Sequence, residues 1–160
     1  MIYDYEDNEG WVSVWVGNFP DYKALDDYLS TQYFDSSRAE EALAGLFLPE
    51  NRDRPFEKEL RELFEGGTFC QFEYDFGLTF DEDFREAEVF DAPTRELTKL
   101  LEPFSNSGDF LPEAAKLDTG SLPEYNAAVL LYNLRYTGGV EEADHNGAGL
   151  RFLGCFPCEL

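Results

Sequence analysis

The sequence predicts an α+β fold: a small, mostly antiparallel sheet with helices packed on one face. Three observations carry this expectation. Trp11–Val16 and residues 126–136 (NAAVLLYNLRY) are apolar on both of their alternating faces, as internal strands are. Stretches with helical spacing of Leu, Phe and Tyr lie between them, punctuated by Pro and Gly. The chain is 43% hydrophobic and 16% aromatic, a core-forming composition unlike that of a disordered acidic tail.

The elements follow in order. Residues 1–10 are polar and acidic and read as a loose lead-in. Val12, Val14 and Val16 occupy one face of the first strand and Trp11, Ser13 and Trp15 the other, until Gly17-Asn18 breaks it. Pro20 and Asp21 suit the first turn of a helix, in which Tyr22, Leu25 and Leu29 form an apolar stripe. Ser37-Arg38-Ala39-Glu40 is a capping box that opens a helix burying Ala39, Leu43, Leu46 and Phe47, stopped by Pro49. Pro55 opens the next, with Phe56, Leu60, Leu63 and Phe64 in register and Gly66-Gly67 at its close. Cys70, Phe72, Tyr74 and Phe76 alternate with Gln71, Glu73 and Asp75, the pattern of a half-buried strand. Pro93-Thr94 begins a helix carrying Leu97, Leu100 and Leu101 that stops near Pro103, and a weaker helical pattern spans Leu111 to Leu117. Residues 126–136 and 149–156 (GLRFLGCF), joined by the polar, Gly-rich loop Thr137 to Ala148, read as a long antiparallel hairpin.

Charge narrows the classes of partner. The chain carries 34 acidic and 12 basic residues, a net of −22 over 160 residues. Such a surface repels nucleic acid and anionic membranes and attracts basic partners. The size is that of a single domain, 1–160, able to bury roughly 70% of its unfolded surface without disulfides. No apolar run approaches the ~18 residues that span a bilayer. The first residues, MIYDYEDNEG, show no basic stretch followed by an apolar one, so no secretory signal is read. Three cysteines, Cys70, Cys155 and Cys158, are an odd count that argues against a disulfide framework and for a reducing cytoplasm. The charge is uneven: Phe69 to Asp91 holds eight acids and one base, Arg85, whereas five of the twelve bases fall between Arg38 and Arg61.

Few residues invite catalysis. His145, the only histidine, sits in Asp144-His145-Asn146-Gly147, a loop tip where histidine is ordinarily a turn residue. Any His-based triad or two-His metal site within one chain depends on it or is excluded. Cys155-Phe156-Pro157-Cys158 has C-x-x-C spacing, but a redox version opens a helix, and this one ends a strand at the C-terminus. Zinc there would draw its remaining ligands from Cys70 and His145, so the cysteines read first as small apolar residues. Asp81-Glu82-Asp83-Phe84-Arg85-Glu86 is the densest carboxylate cluster. It lacks the ligand order and internal glycine of an EF-hand. Paired carboxylates for glycoside hydrolysis would need a sugar cleft. A solvated acidic face and a docking surface for a basic protein are the other readings. Phe80, Phe84 and Phe90, interleaved with these acids, are candidate apolar anchors or core residues. Neither Gly138-Gly139 nor Gly147-Ala148-Gly149 has the strand–loop–helix context and lysine of a phosphate loop.

The run Val12-Ser13-Val14-Trp15-Val16-Gly17-Asn18-Phe19, followed by an acidic helix with Leu25, Tyr28 and Leu29, resembles the start of the immunity protein 22 family. Phe72-Glu73-Tyr74-Asp75-Phe76-Gly77, followed by Asp81-Glu82-Asp83-Phe84, is similar to that family's middle signature. Tyr125 to Tyr132 and Phe152 to Phe156 match its closing strands. Residues 36–66 do not resemble the compact family pattern and read as a helical insertion. The resemblance implies a bacterial antitoxin of the polymorphic-toxin type: a cytoplasmic, non-enzymatic protein without cofactor or metal that binds and neutralises a cognate toxin domain. Many such toxins are nucleases with basic clefts, which the net charge of −22 fits. The acid excess of residues 69–91 then nominates Asp75, Asp81, Glu82, Asp83 and Glu86 as the toxin-contact set, with Trp15 in the core. A small carboxylate- or metal-dependent hydrolase and an acidic DNA mimic are the alternatives.

Overall fold

The computed structural model of the chain describes residues 9–33, 68–117, 123–137, 139–145 and 147–158. The helices expected after Ser37 and Pro55, and with them the 36–66 insertion, lie outside these residues, as does most of the acidic lead-in. The described elements are β1 (Trp11–Asn18), α1 (Tyr22–Leu29), β2 (Gln32–Tyr33), β3 (Thr68–Phe69), α2 (Gln71–Phe76), β4 (Arg85–Thr94), α3 (Leu97–Leu101), α4 (Ser107–Ala114), β5 (Tyr125–Tyr132), β6 (Glu142–His145) and β7 (Ala148–Pro157). Five strands form an antiparallel sheet in the order β4-β5-β1-β7-β6, and β2 pairs with β3 separately. The α+β class is as expected.

β1 is central, as its two apolar faces require. It pairs with β5 from Val12↔Tyr132 to Gly17↔Ala127, and with β7 from Trp11↔Pro157 to Asn18↔Gly149. The expected hairpin of residues 126–136 and 149–156 is therefore corrected: β1 lies between β5 and β7. The loop assigned to that hairpin contains β6, which pairs with β7 from Glu142↔Arg151 to His145↔Ala148. Where β1 crosses β7 the backbones nearly touch; a Cβ on Gly17 would sit 1.9 Å from the Gly149 carbonyl oxygen, so no side chain fits there.

Helices cover both faces of the sheet, which corrects the expectation of cover on one. Val12, Val14 and Val16 of β1 and Ala128, Leu130 and Tyr132 of β5 pack with Leu97, Leu100 and Leu101 of α3 and Phe110 of α4. On the opposite face Trp15, Ala127, Val129 and Leu131 pack with Leu25, Tyr28 and Leu29 of α1 and Phe72 and Phe76 of α2. Trp15 is fully buried, its indole 5.1 Å from the ring of Phe72 and 5.5 Å from that of Tyr136. Ser13, also buried, donates to the Leu134 carbonyl at 2.6 Å and accepts from the Tyr136 amide at 3.0 Å, which fixes the chain as it leaves β5.

Local chemistry explains most of the helices. Asp21 caps α1 by accepting from the Ala24 amide at 2.8 Å, and Leu25, Tyr28 and Leu29 face the core while Tyr22 stays 48% exposed. α2 replaces the strand expected at 69–76. Its period of 3.6 brings Phe72 and Phe76 onto one face and Gln71 within 2.8 Å of Asp75, and Gly77 closes it in the left-handed conformation at φ 69°. Pro93-Thr94 ends β4 rather than opening a helix, and α3 begins at Leu97.

Candidate functional site

The acidic segment after α2 is held from beneath. Phe80 packs edge-on against Phe72 at 5.7 Å, and its amide donates to a Glu73 carboxylate oxygen at 3.2 Å. Asp81 then caps a single 3-10 turn, Glu82–Phe84, by accepting from the Asp83 amide at 2.9 Å. Phe84 and Phe90 turn toward the α3–α4 core, partly buried. The interleaved phenylalanines therefore act mainly as core anchors, and Glu82 and Asp83 are left exposed at the head of β4.

Glu86, two residues into β4's edge-strand ladder, is half-buried. Its carboxylate accepts from the Tyr132 hydroxyl at 3.0 Å and the Ser105 amide at 3.2 Å. The single proton of that hydroxyl is shared with the Ser105 carbonyl, 2.7 Å away. Burial, and then the neighbouring Glu86 charge, push the Tyr132 phenol well above its usual range. Arg85, the lone base of the acidic stretch, reaches Asp26 of α1 at 3.5 Å. Beside it a cavity of about 250 Å³ runs along β4, lined by Tyr22, Arg85, Glu86, Ala87, Glu88, Pro103 and Phe104.

Asp75 separates from the other four nominated residues. It is 1% exposed and lies in the interior between α1, α2 and the β6–β7 hairpin. Its carboxylate accepts from the Tyr28 hydroxyl at 2.6 Å and the Gln71 amide at 2.8 Å, and His145 Nε2 lies 2.7 Å away. As a surface contact Asp75 is thus corrected: it is a buried tie among three elements. His145, expected as a turn residue, closes the β6–β7 turn by pairing with Ala148 and is also the outer partner of that tie, 47% exposed. The signal that could have found this grouping is the Gln71/Asp75 spacing of one helical turn, hidden beneath the alternating aromatics of residues 70–76.

The other candidate groups disperse. Cys155 bonds Ser13 Oγ and the Tyr136 carbonyl at 3.3 Å each on the α1–α2 side, whereas Cys158 belongs to the core on the α3–α4 side. Burial raises both thiols, and it pushes Cys70, closed in beneath the end of α1, up to about 12. Among the described residues no three His, Cys, Asp or Glu side chains are grouped to hold a metal, and no helix is long and apolar enough to cross a membrane.

Asp81, Glu82 and Asp83 thus stand in the turn that leads into β4, an end strand of the sheet, and Glu86 lines the groove beside that strand. No curated protein and no solved structure matches the chain. The model of the family described as immunity protein 22 matches residues 12–159, and the chain belongs to that family.

Proposed function

We propose that this chain is a cytoplasmic immunity protein that neutralises a basic, nuclease-type toxin domain by stoichiometric occlusion rather than catalysis. Family membership supports the immunity role. The observation that carries the finer reading is the acidic turn Asp81–Glu82–Asp83, with Glu82 and Asp83 exposed, running into Glu86 and mounted on Phe80 and Phe84. Carboxylates held on a fixed backbone lose little freedom on binding and steer a cationic cleft toward the site. The net charge of −22 extends that field over the whole encounter and leaves nucleic acid and anionic membranes disfavoured as partners.

The test is to look beside the gene for an encoded toxin domain and follow its association with the chain across a salt series. Glu82→Lys with Asp83→Lys is the informative variant, because Asp81 caps the turn and its loss would disturb the fold. Association at low salt is expected to slow by about tenfold or more and to depend less steeply on salt, with dissociation little changed. Equal association rates for the two proteins at every salt concentration would remove this turn from the interface.

A further inference from the structure

We infer that the outer edge of β4, from Arg85 to Val89, receives an extended segment of the toxin as an added β-strand, one whose side chains alternate between basic and apolar. This rests on the proposed immunity function and specifies how the partner is held.

β4 is an end strand of the five-stranded sheet; among the described residues only β5 pairs with it. On such a strand every second residue turns its N–H and C=O away from the sheet, a template for another strand. Proteins ordinarily blunt these edges, and the second half of β4 is blunted: the register breaks between Val89 and Thr94, and Pro93 lies in the interval. The first half is regular, pairing Arg85↔Leu131 through Val89↔Ala127. There the cavity of about 250 Å³ opens along the strand, with Tyr22 of α1 on one side and Pro103 and Phe104 on the other. A slot with strand backbone for its floor and a wall on each side has the form an extended chain fills.

The two sides of the slot differ in chemistry. Glu86 and Glu88 pair with Leu130 and Ala128, so they project on the α3–α4 side, beside Phe104. Ala87 projects on the α1 side, toward Tyr22, where the Arg85 charge is already met by Asp26. A strand added here meets carboxylates with one set of side chains and apolar surface with the other. The same carboxylates disfavour a second copy of this chain, whose net charge is −22. The occupant that fits is a cationic, amphipathic strand.

The first probe is a short end-blocked peptide of alternating Lys and Val, added to the full chain and followed by backbone amide NMR. Shifts and slowed amide exchange confined to residues 85–89 and their groove neighbours are expected. Glu88→Gln, or N-methylation of the peptide along one edge only, should weaken binding by about tenfold, the cost of one or two hydrogen bonds. Equal binding of the N-methylated peptide, or shifts centred elsewhere, would overturn strand addition. So would concentration-dependent protection of these amides in the free chain, which would assign the edge to a second copy. In the second arm a toxin domain found encoded beside the gene replaces the peptide. Protection of residues 85–89 in that complex supports the inference. A toxin that binds without protecting them overturns it and leaves the immunity function standing, whereas a toxin that does not bind at all overturns that function too.

Discussion

Replacing Glu73 with Gln should make the protein more stable at neutral pH and leave it unchanged in mild acid. Glu73 lies on α2, half-buried, and accepts from the Phe80 amide at 3.2 Å. Burial raises its carboxyl from 4.5 to about 7; the Phe80 amide opposes the shift, and the Glu82 charge adds to it. The folded state therefore holds this proton more tightly than the unfolded state does. Stability from this group is fully present below pH 4.5, falls as pH rises toward about 7, and is flat above. At about 1.4 kcal/mol per tenfold in proton affinity, the gap corresponds to about 3 kcal/mol. Gln keeps an oxygen for the Phe80 amide and never ionises. In urea unfolding at a series of pH values, the difference between Glu73→Gln and the parent should grow from near zero in mild acid to about 2–3 kcal/mol at pH 8. Taking the difference cancels the titration of the remaining carboxylates. Two stability curves that run parallel from acid to pH 8 would refute the burial argument, as would a carboxyl signal of Glu73 titrating in the ordinary range.

Two further outcomes follow from the geometry. Asp75→Ala leaves the Tyr28 hydroxyl and Gln71 amide without their buried acceptor and should cost about 3–5 kcal/mol, read by urea unfolding, with Asp75→Asn costing less; a loss under about 1 kcal/mol would mean the tie is replaceable. Gly149→Ala should destabilise by about 2 kcal/mol or more, because its Cβ would fall 2.1 Å from the Ala143 carbonyl oxygen, while Gly108→Ala in α4, with open space around it, should stabilise by about 0.5–1 kcal/mol. Thermal unfolding of the pair checks both signs at once.

The acidic cluster was legible in the chain as composition. The cluster Asp81–Glu86 stands out by composition, and the structure places it in the turn and first residues of β4. Asp75 could not be placed in the same way. An acid in an alternating run of aromatics looks solvent-facing on a strand; on a helix, the same acid turns inward beside Phe72 and Phe76. Which period applies is decided by what the segment packs against, here Trp15 and Tyr28. The groove along β4 was out of reach for a related reason: it is built from α1, β4 and the α3–α4 turn, which meet only in space.

The sequence by itself determined the α+β class, the buried central strand β1, the capped start of α1 and the family, because periodicity, caps and local signatures are properties of neighbouring residues. That helices cover both faces, with Val12 buried under α3 and α4 and Trp15 under α1 and α2, was settled by the packing and not by the sequence reading, which expected cover on one face. Only the tertiary structure decided that β1 enters between β5 and β7, that residues 71–76 coil rather than extend, and that the acidic stretch ends in an edge strand. These choices are settled by contacts between residues far apart in the chain, such as Ser13 with Leu134, 121 positions away, or Asp75 with His145, 70 positions away. Local pattern fixes which side of an element is buried; the partner that buries it is chosen by the packing of the whole chain.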